Sequence, residues 1–294
     1  MDTCDVGTQP KQVDARLHLS VGEFRAVAEP WYRRDPVLHT TELTALRTLP
    51  AGSVMLTVTD GGQTIGAAQQ TPLFPLACTA IPLAALDAVV TKLARLQPGL
   101  SGLRGLRDTA TAFADKWCPA TGRTATVIDE ERLYRLGTLR DPAGMAGAPG
   151  DPAAHAPVVV DWLDLFHQEA FGEPSNPAAS ARLMAAAAEL GDRFVVWVVG
   201  ARPVSLAMVR APVAGVARIG PVFTPRERRG HGYGSAVTAA AARLAQRMGA
   251  ADVVLFTDLA NPTSNAIYQR IGFEPVTDMV RIAFGDEGAR TAAR

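Results

Sequence analysis

The pattern of apolar and polar positions in the second half of the chain predicts alternating helices and strands. Within 158–171 apolar residues recur every three or four positions, which is typical of a helix with one apolar face. These residues are Val160, Leu163, Phe166 and Ala170. Asn176 and Pro177 are the preferred residue types for the N-cap and first position of a second helix, which we expect to end before Gly191.

Apolar runs and glycines predict the elements that follow these two helices. Three runs predict an antiparallel meander, with strands at 193–199, 204–209 and about 216–224. An Ala-rich helix is predicted at 234–248, ending at Gly249, and is followed by a buried strand at 253–257. A helix between Asn261 and Gly272 and a last strand at 273–284 complete a mixed α+β pattern.

The first half of the chain repeats part of this pattern at an offset of 140 residues. Segment 53–72 aligns with 193–212 without a gap, and each contains an apolar run, a turn, a second run and a closing proline. Segment 109–117 aligns with 264–273, which places Phe113 opposite Tyr268, and a final strand follows each. Two hairpins can resemble each other by chance, but several elements recurring in one order favour tandem domains.

We therefore predict two domains separated by a linker. The predicted parts are a flexible tail at 1–14, a first domain at 15–140, a linker at 141–157, a second domain at 158–285 and a C-terminal tail at 286–294. The linker is rich in Gly, Pro and Ala. A length of 294 residues is consistent with two domains of ordinary size.

Composition and charge exclude several classes of function. The chain has 29 Lys and Arg residues and 29 Asp and Glu residues, and this balance disfavours general nucleic-acid binding. Prolines and an aspartate interrupt the longest apolar stretch, Leu73–Val90, so we predict no membrane span. The first residues lack the apolar core of a secretory signal, and the three cysteines lack metal-ligand spacing. We expect a cytoplasmic protein without a metal or disulfide bonds.

A glycine-rich segment, Arg229 to Ser235, lies between a predicted strand and a predicted helix. Its glycines allow successive backbone N–H groups to face one anion, and the helix N-terminus adds positive potential, which suits a pyrophosphate. Arg226, Arg228 and Arg229 provide charge for phosphate oxygens. No Gly-Lys-Ser/Thr follows, and Ser235 occupies the third glycine position of a dinucleotide fingerprint, so neither of those motifs fits. By itself, the segment is also compatible with a solvated turn.

Two sequence blocks resemble the GNAT superfamily of acyl-CoA N-acyltransferases, over about 158–284. VFTPRERRGHGYGSA carries Arg229, Gly232 and Gly234 at the positions of the family's R-x-x-G-x-G loop. NPTSNAIYQRIGF carries an Asn seven residues before a helical Tyr, followed by Gly-Phe. The first domain resembles a degenerate copy that lacks the glycine loop and the tyrosine, so we expect it to bind no acyl-CoA.

This resemblance implies two tandem GNAT-like domains, each with a mostly antiparallel mixed sheet flanked by helices. It also implies acetyl-CoA as cofactor, with the pantetheine between two splayed strands and the pyrophosphate at the glycine loop. The implied cofactor-binding residues are Val222, Phe223, Thr224, Arg229, Gly230, His231, Gly232, Tyr233, Gly234, Ser235 and Asn261. In the family a strand precedes the 158–171 helix, but the linker is a poor strand sequence. That sheet edge is therefore expected to be short, irregular or supplied by the first domain.

Acyl transfer to an amine needs a neutral nucleophile, a polarised thioester carbonyl and a proton for the departing thiolate. A backbone N–H near Phe223 is the candidate for polarising the carbonyl. Tyr268 is the candidate general acid, and its alternative role is that of a core aromatic. Asn261 is expected to bond the pantetheine, to cap the following helix, or both.

The general base is less clearly specified. Glu169, Glu173 and His167 on or after the first helix are candidates, although a solvated helix face explains them equally well. Asp258, which ends the 253–257 strand, is another, whereas we expect His231 to be exposed or near phosphate. We select Glu169 and Asp258, with Tyr268, as candidate catalytic residues.

The predicted function is acetyl-CoA-dependent N-acetylation of a small-molecule amine by direct attack in a ternary complex. Cys78 and Cys118 lie in the degenerate domain, so an acyl-cysteine route has no candidate nucleophile. The alternatives are a non-catalytic acyl-CoA-binding module and a protein or peptide N-acetyltransferase. We expect a monomer or a homodimer.

Overall fold

The computed structural model describes residues 13–72, 74–172 and 174–286. These residues form two compact units. Unit 1 contains the chain up to Asp35, Thr41–Asp129 and the chain from Met279 onward. Unit 2 contains Pro36–Thr40 and Glu130–Asp278.

Helices and strands alternate along the whole described chain. The first half contains β1 (Val13–Leu17), α1 (Val21–Tyr32), α2 (Thr40–Ala45), β2 (Val54–Asp60), β3 (Gln63–Gln70), β4 (Leu76–Ala80), α3 (Leu86–Leu96), β5 (Gly102–Leu106), α4 (Arg107–Thr121) and β6 (Arg123–Leu136). The second half contains β7 (Ala148–Gly150), α5 (Ala156–Phe171), α6 (Pro177–Glu189), β8 (Arg193–Val199), β9 (Arg202–Val213), β10 (Val216–Phe223), α7 (Tyr233–Arg247), β11 (Asp252–Asp258), α8 (Pro262–Arg270) and β12 (Phe273–Asp286). This is the mixed, mostly antiparallel architecture that the sequence predicts.

In unit 1, strands β1 to β5 lie side by side in chain order. All neighbours are antiparallel except β4 and β5, which are parallel. The apolar faces of α3 and α4 pack on this sheet and form one core with it, because their apolar residues recur at helical spacing. Val89 and Leu93 of α3, with Phe113 and Trp117 of α4, are fully buried.

In unit 2, the strand order is β7-β8-β9-β10-β11-β6. Among the pairings described for these six strands, β10–β11 is parallel and the others are antiparallel. α7 connects β10 to β11, and its small side chains bury most of one face, including Val237, Ala241 and Ala245. Alanines without long side chains allow this helix to approach the sheet closely.

The repeat appears as two equivalent hairpins. β2–β3 and β8–β9 occupy the segments that the gapless alignment predicts. Each also has a register irregularity near its turn, between Val58 and Thr59 in one and between Trp197 and Val198 in the other, one position apart in the alignment. The helices predicted in the second half are confirmed too, including the Asn176 cap, whose side chain accepts the Ala179 N–H.

Strands β6 and β12 each begin in one unit and pair in the other, so the two units do not follow one another along the chain. β6 begins in unit 1, but its residues Glu131–Arg135 pair with β11 in unit 2. β12 begins in unit 2, but its residues Met279–Ala283 pair with β5 in unit 1. An apolar pattern indicates that a strand forms and not which neighbour it pairs with. The boundaries 15–140 and 158–285 therefore stay a prediction, and the contact units differ from them.

The edges of the structure add smaller differences. The strand expected before α5 is β7, only three residues long, and it pairs with β8 inside the predicted linker. β1 begins at Val13, two residues inside the predicted tail, and β12 reaches Asp286. The rest of both predicted tails lies outside the described residues. No helix in the described ranges is long and apolar enough to cross a membrane.

Gly272, between α8 and β12, is predicted to be essential for stability. It has φ of +103°, and a Cβ placed there would lie 2.0 Å from the Thr138 carbonyl oxygen. Gly272→Ala should therefore lower the free energy of unfolding by about 3 kcal/mol or more. Gly249→Ala is the matched control, because Gly249 also has positive φ but open space around it, and it should cost about 1 kcal/mol. Denaturant unfolding of both variants measures this difference, and equal losses would contradict the close contact.

Candidate functional site

A cleft of about 630 Å³ lies within unit 2, at the ends of β10 and the helices around it. Its walls come from α5, the end of β10, the glycine loop with the first turn of α7, and α8. The lining residues are Phe166, Glu169, Ala170, Val222, Phe223, Thr224, Arg228, Arg229, Gly230, Gly232, Tyr233, Gly234, Ser235, Asn261, Thr263, Ser264, Ile267, Tyr268 and Arg270. Most residues of the predicted cofactor site therefore share one cleft.

The cleft begins where β10 and β11 separate. They pair from Val216 opposite Asp252 to Ile219 opposite Leu255. Beyond Ile219, β10 remains paired with β9 as far as Phe223, with a register irregularity on the way. In the described residues no pairing joins the ends of β10 and β11. Backbone polar groups of β10 that face away from β9 are thus open to a ligand.

The glycine loop presents the N-terminus of α7 to the cleft. Gly230 and Gly232 both have φ of +79°, a conformation that glycine adopts without strain. Gly232 is the N-cap of α7, so no side chain caps this end of the helix. The first-turn N–H groups are therefore left for an anionic ligand, and the helix dipole favours negative charge there.

Met145 provides a second reason for glycine at position 232. A Cβ at Gly232 would lie 2.8 Å from the Met145 Sδ atom, which comes from the segment between β6 and β7. The predicted linker therefore contacts the glycine loop. The sequence pattern did not predict this contact, because nothing in a Gly- and Ala-rich segment specifies its position.

Two arginines of the loop are paired with Glu169 of α5. The Arg229 Nη2 atom lies 2.6 Å from Glu169 Oε2, and the Arg226 Nε atom lies 3.2 Å from Oε1. Arg229 also donates to the Thr224 carbonyl at 2.9 Å. Partial burial opposes ionisation of Glu169, but the hydrogen bonds and positive charges of Arg229 and Arg226 outweigh it and lower its pKa. Glu169 is thus a carboxylate at neutral pH and a weak base.

Tyr268 lies on α8 with its ring in the core of unit 2. It is 8% exposed, lines the cleft, and packs against Tyr134 and Phe273. Burial raises the pKa of Tyr268 to about 12, although a hydrogen bond with Ser264 opposes the increase. The phenol is therefore protonated at neutral pH. Tyr268 is therefore both a core aromatic residue and part of the cleft wall.

Asn261 caps α8, since its side-chain oxygen accepts the Ser264 N–H at 3.0 Å. It also lines the cleft. The capping role is thereby confirmed, and contact with a cofactor stays a prediction.

The other candidates for the base are placed less favourably. Asp258 does not line the cleft, and its carboxylate accepts the Ala260 N–H in the turn after β11. His167 lies against the Leu163 carbonyl of its own helix, 2.7 Å away. His231 is exposed and stacks on Tyr233. Glu173 lies outside the described residues. Glu169 is thus the candidate base that the structure brings into the cleft.

Tyr134 on β6 is a structural residue of the site that sequence reasoning missed. It is fully buried, donates to Asn265 Oδ1 at 2.9 Å and accepts from Gln269 Nε2 at 3.0 Å. These bonds fasten α8, and with it Tyr268, to the sheet. Tyr134 was missed because its strand was attributed to the first domain. The lining residues Phe166 and Ser264 could have been found, because each lies one helical turn from a predicted site residue.

Unit 1 lacks the corresponding features. Its β4 leads through Ile81 and Pro82 directly into a helical turn, without a glycine loop. Phe113 replaces the tyrosine and packs against Trp117 and Phe284. Burial raises the pKa of Cys78 to about 12, which disfavours the nucleophilic thiolate. In the described parts of the chain, no group of three or more His, Cys, Asp or Glu residues could hold a metal ion.

Comparison with known families agrees with this geometry. The model of the acetyltransferase (GNAT) family matches residues 157–273, which lie in unit 2. No curated protein matches the sequence.

Solved structures show the same fold over nearly the whole chain. A GCN5-related N-acetyltransferase from Sphaerobacter thermophilus is similar with a TM-score of 0.60 and 17% identity, covering 94% of this chain and 97% of that one. A GNAT-family acetyltransferase from Colwellia psychrerythraea gives 0.59 and 12%, covering 92% and 100%. A tandem GNAT protein from the clavulanic acid biosynthesis pathway gives 0.57 and 16%, covering 93% and 98%. The tandem GNAT fold is therefore confirmed.

Proposed function

We propose that this protein is an acetyl-CoA-dependent N-acetyltransferase that acts on the primary amine of a small molecule. The observation that carries the proposal is that the uncapped N-terminus of α7 and the hydroxyl-bearing Tyr268 line one cleft. A phosphate-binding element and a protonated acid in the same cleft suit a reaction that releases a thiolate from a phosphate-bearing cofactor.

The residues present fit the cofactor. The two positive-φ glycines and the α7 N–H groups would hold the pyrophosphate, assisted by Arg229. The open edge of β10 at Val222 and Phe223, with Asn261 across the cleft, would hold the pantetheine. Acetyl-CoA supplies the acetyl group as an activated thioester.

Two groups of this chain would serve the transfer. A backbone N–H on the open side of β10 near Phe223 would polarise the acetyl carbonyl. Tyr268 would donate its proton to the departing thiolate, and its pKa of about 12 keeps that proton available at neutral pH. The amine would attack the acetyl carbonyl directly and lose its proton to solvent.

The acceptor is proposed to be a small molecule on the basis of the α5 wall. Phe166 and Ala170 of α5 line the cleft beside Glu169, and this mixed apolar and acidic wall favours an amine with an apolar body. Incubation with acetyl-CoA and panels of amines, peptides and proteins, followed by free-thiol release, tests the activity and the acceptor class. Cofactor binding without turnover on any acceptor would indicate a binding module instead.

Gly232→Asp is predicted to abolish binding of coenzyme A. The substitution places a side chain against Met145, strains a residue with φ of +79° and adds negative charge at the helix N-terminus. Thermal stabilisation by acetyl-CoA should therefore disappear. Gly249→Asp, the same change at the other end of α7, is the control and should keep that stabilisation. If the Gly232 variant is stabilised as strongly as the original protein, the loop has no part in cofactor binding.

Tyr268→Phe is predicted to lower kcat by about 10²-fold or more, with a similar KM for acetyl-CoA. The lost hydroxyl acts mainly in the transition state, whereas the ring remains packed. In the original protein, the loss of kcat that comes from deprotonating Tyr268 should appear only near pH 12. Steady-state kinetics and thermal unfolding on the same preparations measure both effects.

Tyr134→Phe is the matched control for that variant. It removes a neighbouring hydroxyl that bonds Asn265 and Gln269 and does not line the cleft. It should cost about 1 kcal/mol of stability and affect kcat far less than Tyr268→Phe. Near-normal kcat in the Tyr268 variant would exclude the general-acid role.

A further inference from the structure

Glu169 forms ion pairs with arginines that an anionic cofactor would be expected to bind. Its two carboxylate oxygens are divided between Arg229 and Arg226, on the loop that precedes α7. The Glu169 side chain is 29% exposed and lines the same cleft as the uncapped N-terminus of α7. Negative charge is therefore already present beside the proposed pyrophosphate site when the cofactor is absent.

We propose that Glu169 is a counter-ion that the phosphates of coenzyme A must replace on Arg229 and Arg226. This inference rests on the proposed function. A cofactor pyrophosphate held at the α7 N-terminus would bring a second anion to Arg229, which lines the cleft and shares Glu169 with Arg226. Two anions sharing these arginines repel each other, so that cofactor binding has to break or weaken the pairs that Glu169 makes.

Glu169 is the carboxylate that would compete with the cofactor phosphates for the loop arginines. Glu227 is the nearest other carboxylate along the loop, but it is exposed, and no ion pair or hydrogen bond of its side chain is present in the described structure. Arg228 and Arg270 line the cleft, and neither makes an ion pair within the described residues. Phosphate oxygens can thus bind these two arginines without displacing a carboxylate, whereas Arg226 and Arg229 must first release Glu169.

The counter-ion role also has a structural consequence for the opposite wall. Glu169 belongs to α5, while both arginines belong to the loop, so the pairs link these two walls of the cleft. Replacement by phosphate leaves the carboxylate on the α5 wall beside Phe166 and Ala170. That wall then gains an unpaired negative charge, which would attract the protonated acceptor to the cleft before its amine loses the proton and reacts.

The test is the affinity of Glu169→Gln for coenzyme A, measured by isothermal titration calorimetry. Glutamine keeps the side-chain shape but forms no ion pair and does not repel phosphate. Because exposed pairs are worth little, we expect about three- to tenfold tighter binding of coenzyme A. If Glu169 instead positions the arginines for phosphate, the variant should bind coenzyme A more weakly. Equal or weaker binding would overturn the proposal.

Two controls separate this effect from a general change of charge. Glu227→Gln removes the same charge from the loop without breaking a pair, and it should alter the affinity by less than about twofold. Pantetheine, which has no phosphate, should bind Glu169→Gln and the original protein equally well. Tighter pantetheine binding by the same factor would contradict competition with phosphate.

The proposal can fail independently of the proposed function. If the original protein does not bind coenzyme A, the proposed function fails. If it binds coenzyme A and Glu169→Gln binds no more tightly, only the counter-ion role fails.

Discussion

The separation of two parallel strands is the constraint on which the site depends. β10 and β11 pair only as far as Ile219 and Leu255. Each strand keeps an outer partner beyond that point, since β9 continues along β10 and β6 continues along β11. Half of the backbone groups of each strand therefore remain satisfied while the other half face the gap. The sheet thus holds a cleft open without losing the strands that form it.

The helices that follow the two separated strands begin at this cleft, and their N-termini differ in how they are capped. Asn261 caps α8 with its own side chain and leaves fewer N–H groups open. Gly232 begins α7 without a side chain, so its first-turn N–H groups stay available. The difference between Asn and Gly at two N-caps decides which helix keeps its first-turn N–H groups free and which one is capped by its own side chain.

The sequence predicted what short-range patterns determine. Helical periodicity, the Asn176 cap and the glycines located most elements of unit 2, and the two motifs brought together most residues of the cleft. Contacts between residues far apart in the sequence could not be predicted in this way. Pairing of β6 with β11 brought in Tyr134, and pairing of Glu169 with the loop arginines joined residues about sixty positions apart. Neither partner carries a local signal of the other, because side-chain contacts of this kind depend on how the elements pack.

The two units separate what the fold requires from what the chemistry requires. Phe113 in unit 1 and Tyr268 in unit 2 occupy matching helices, and both rings are buried among other aromatic side chains. Phe113 shows that such a helix packs well without a hydroxyl. At Tyr268 the hydroxyl shares a cleft with an uncapped helix N-terminus, whereas unit 1 has no glycine loop to accompany its phenylalanine. In this chain the glycine loop and the hydroxyl thus occur together in unit 2 and are both missing from the matching positions of unit 1, a coincidence that packing alone does not require.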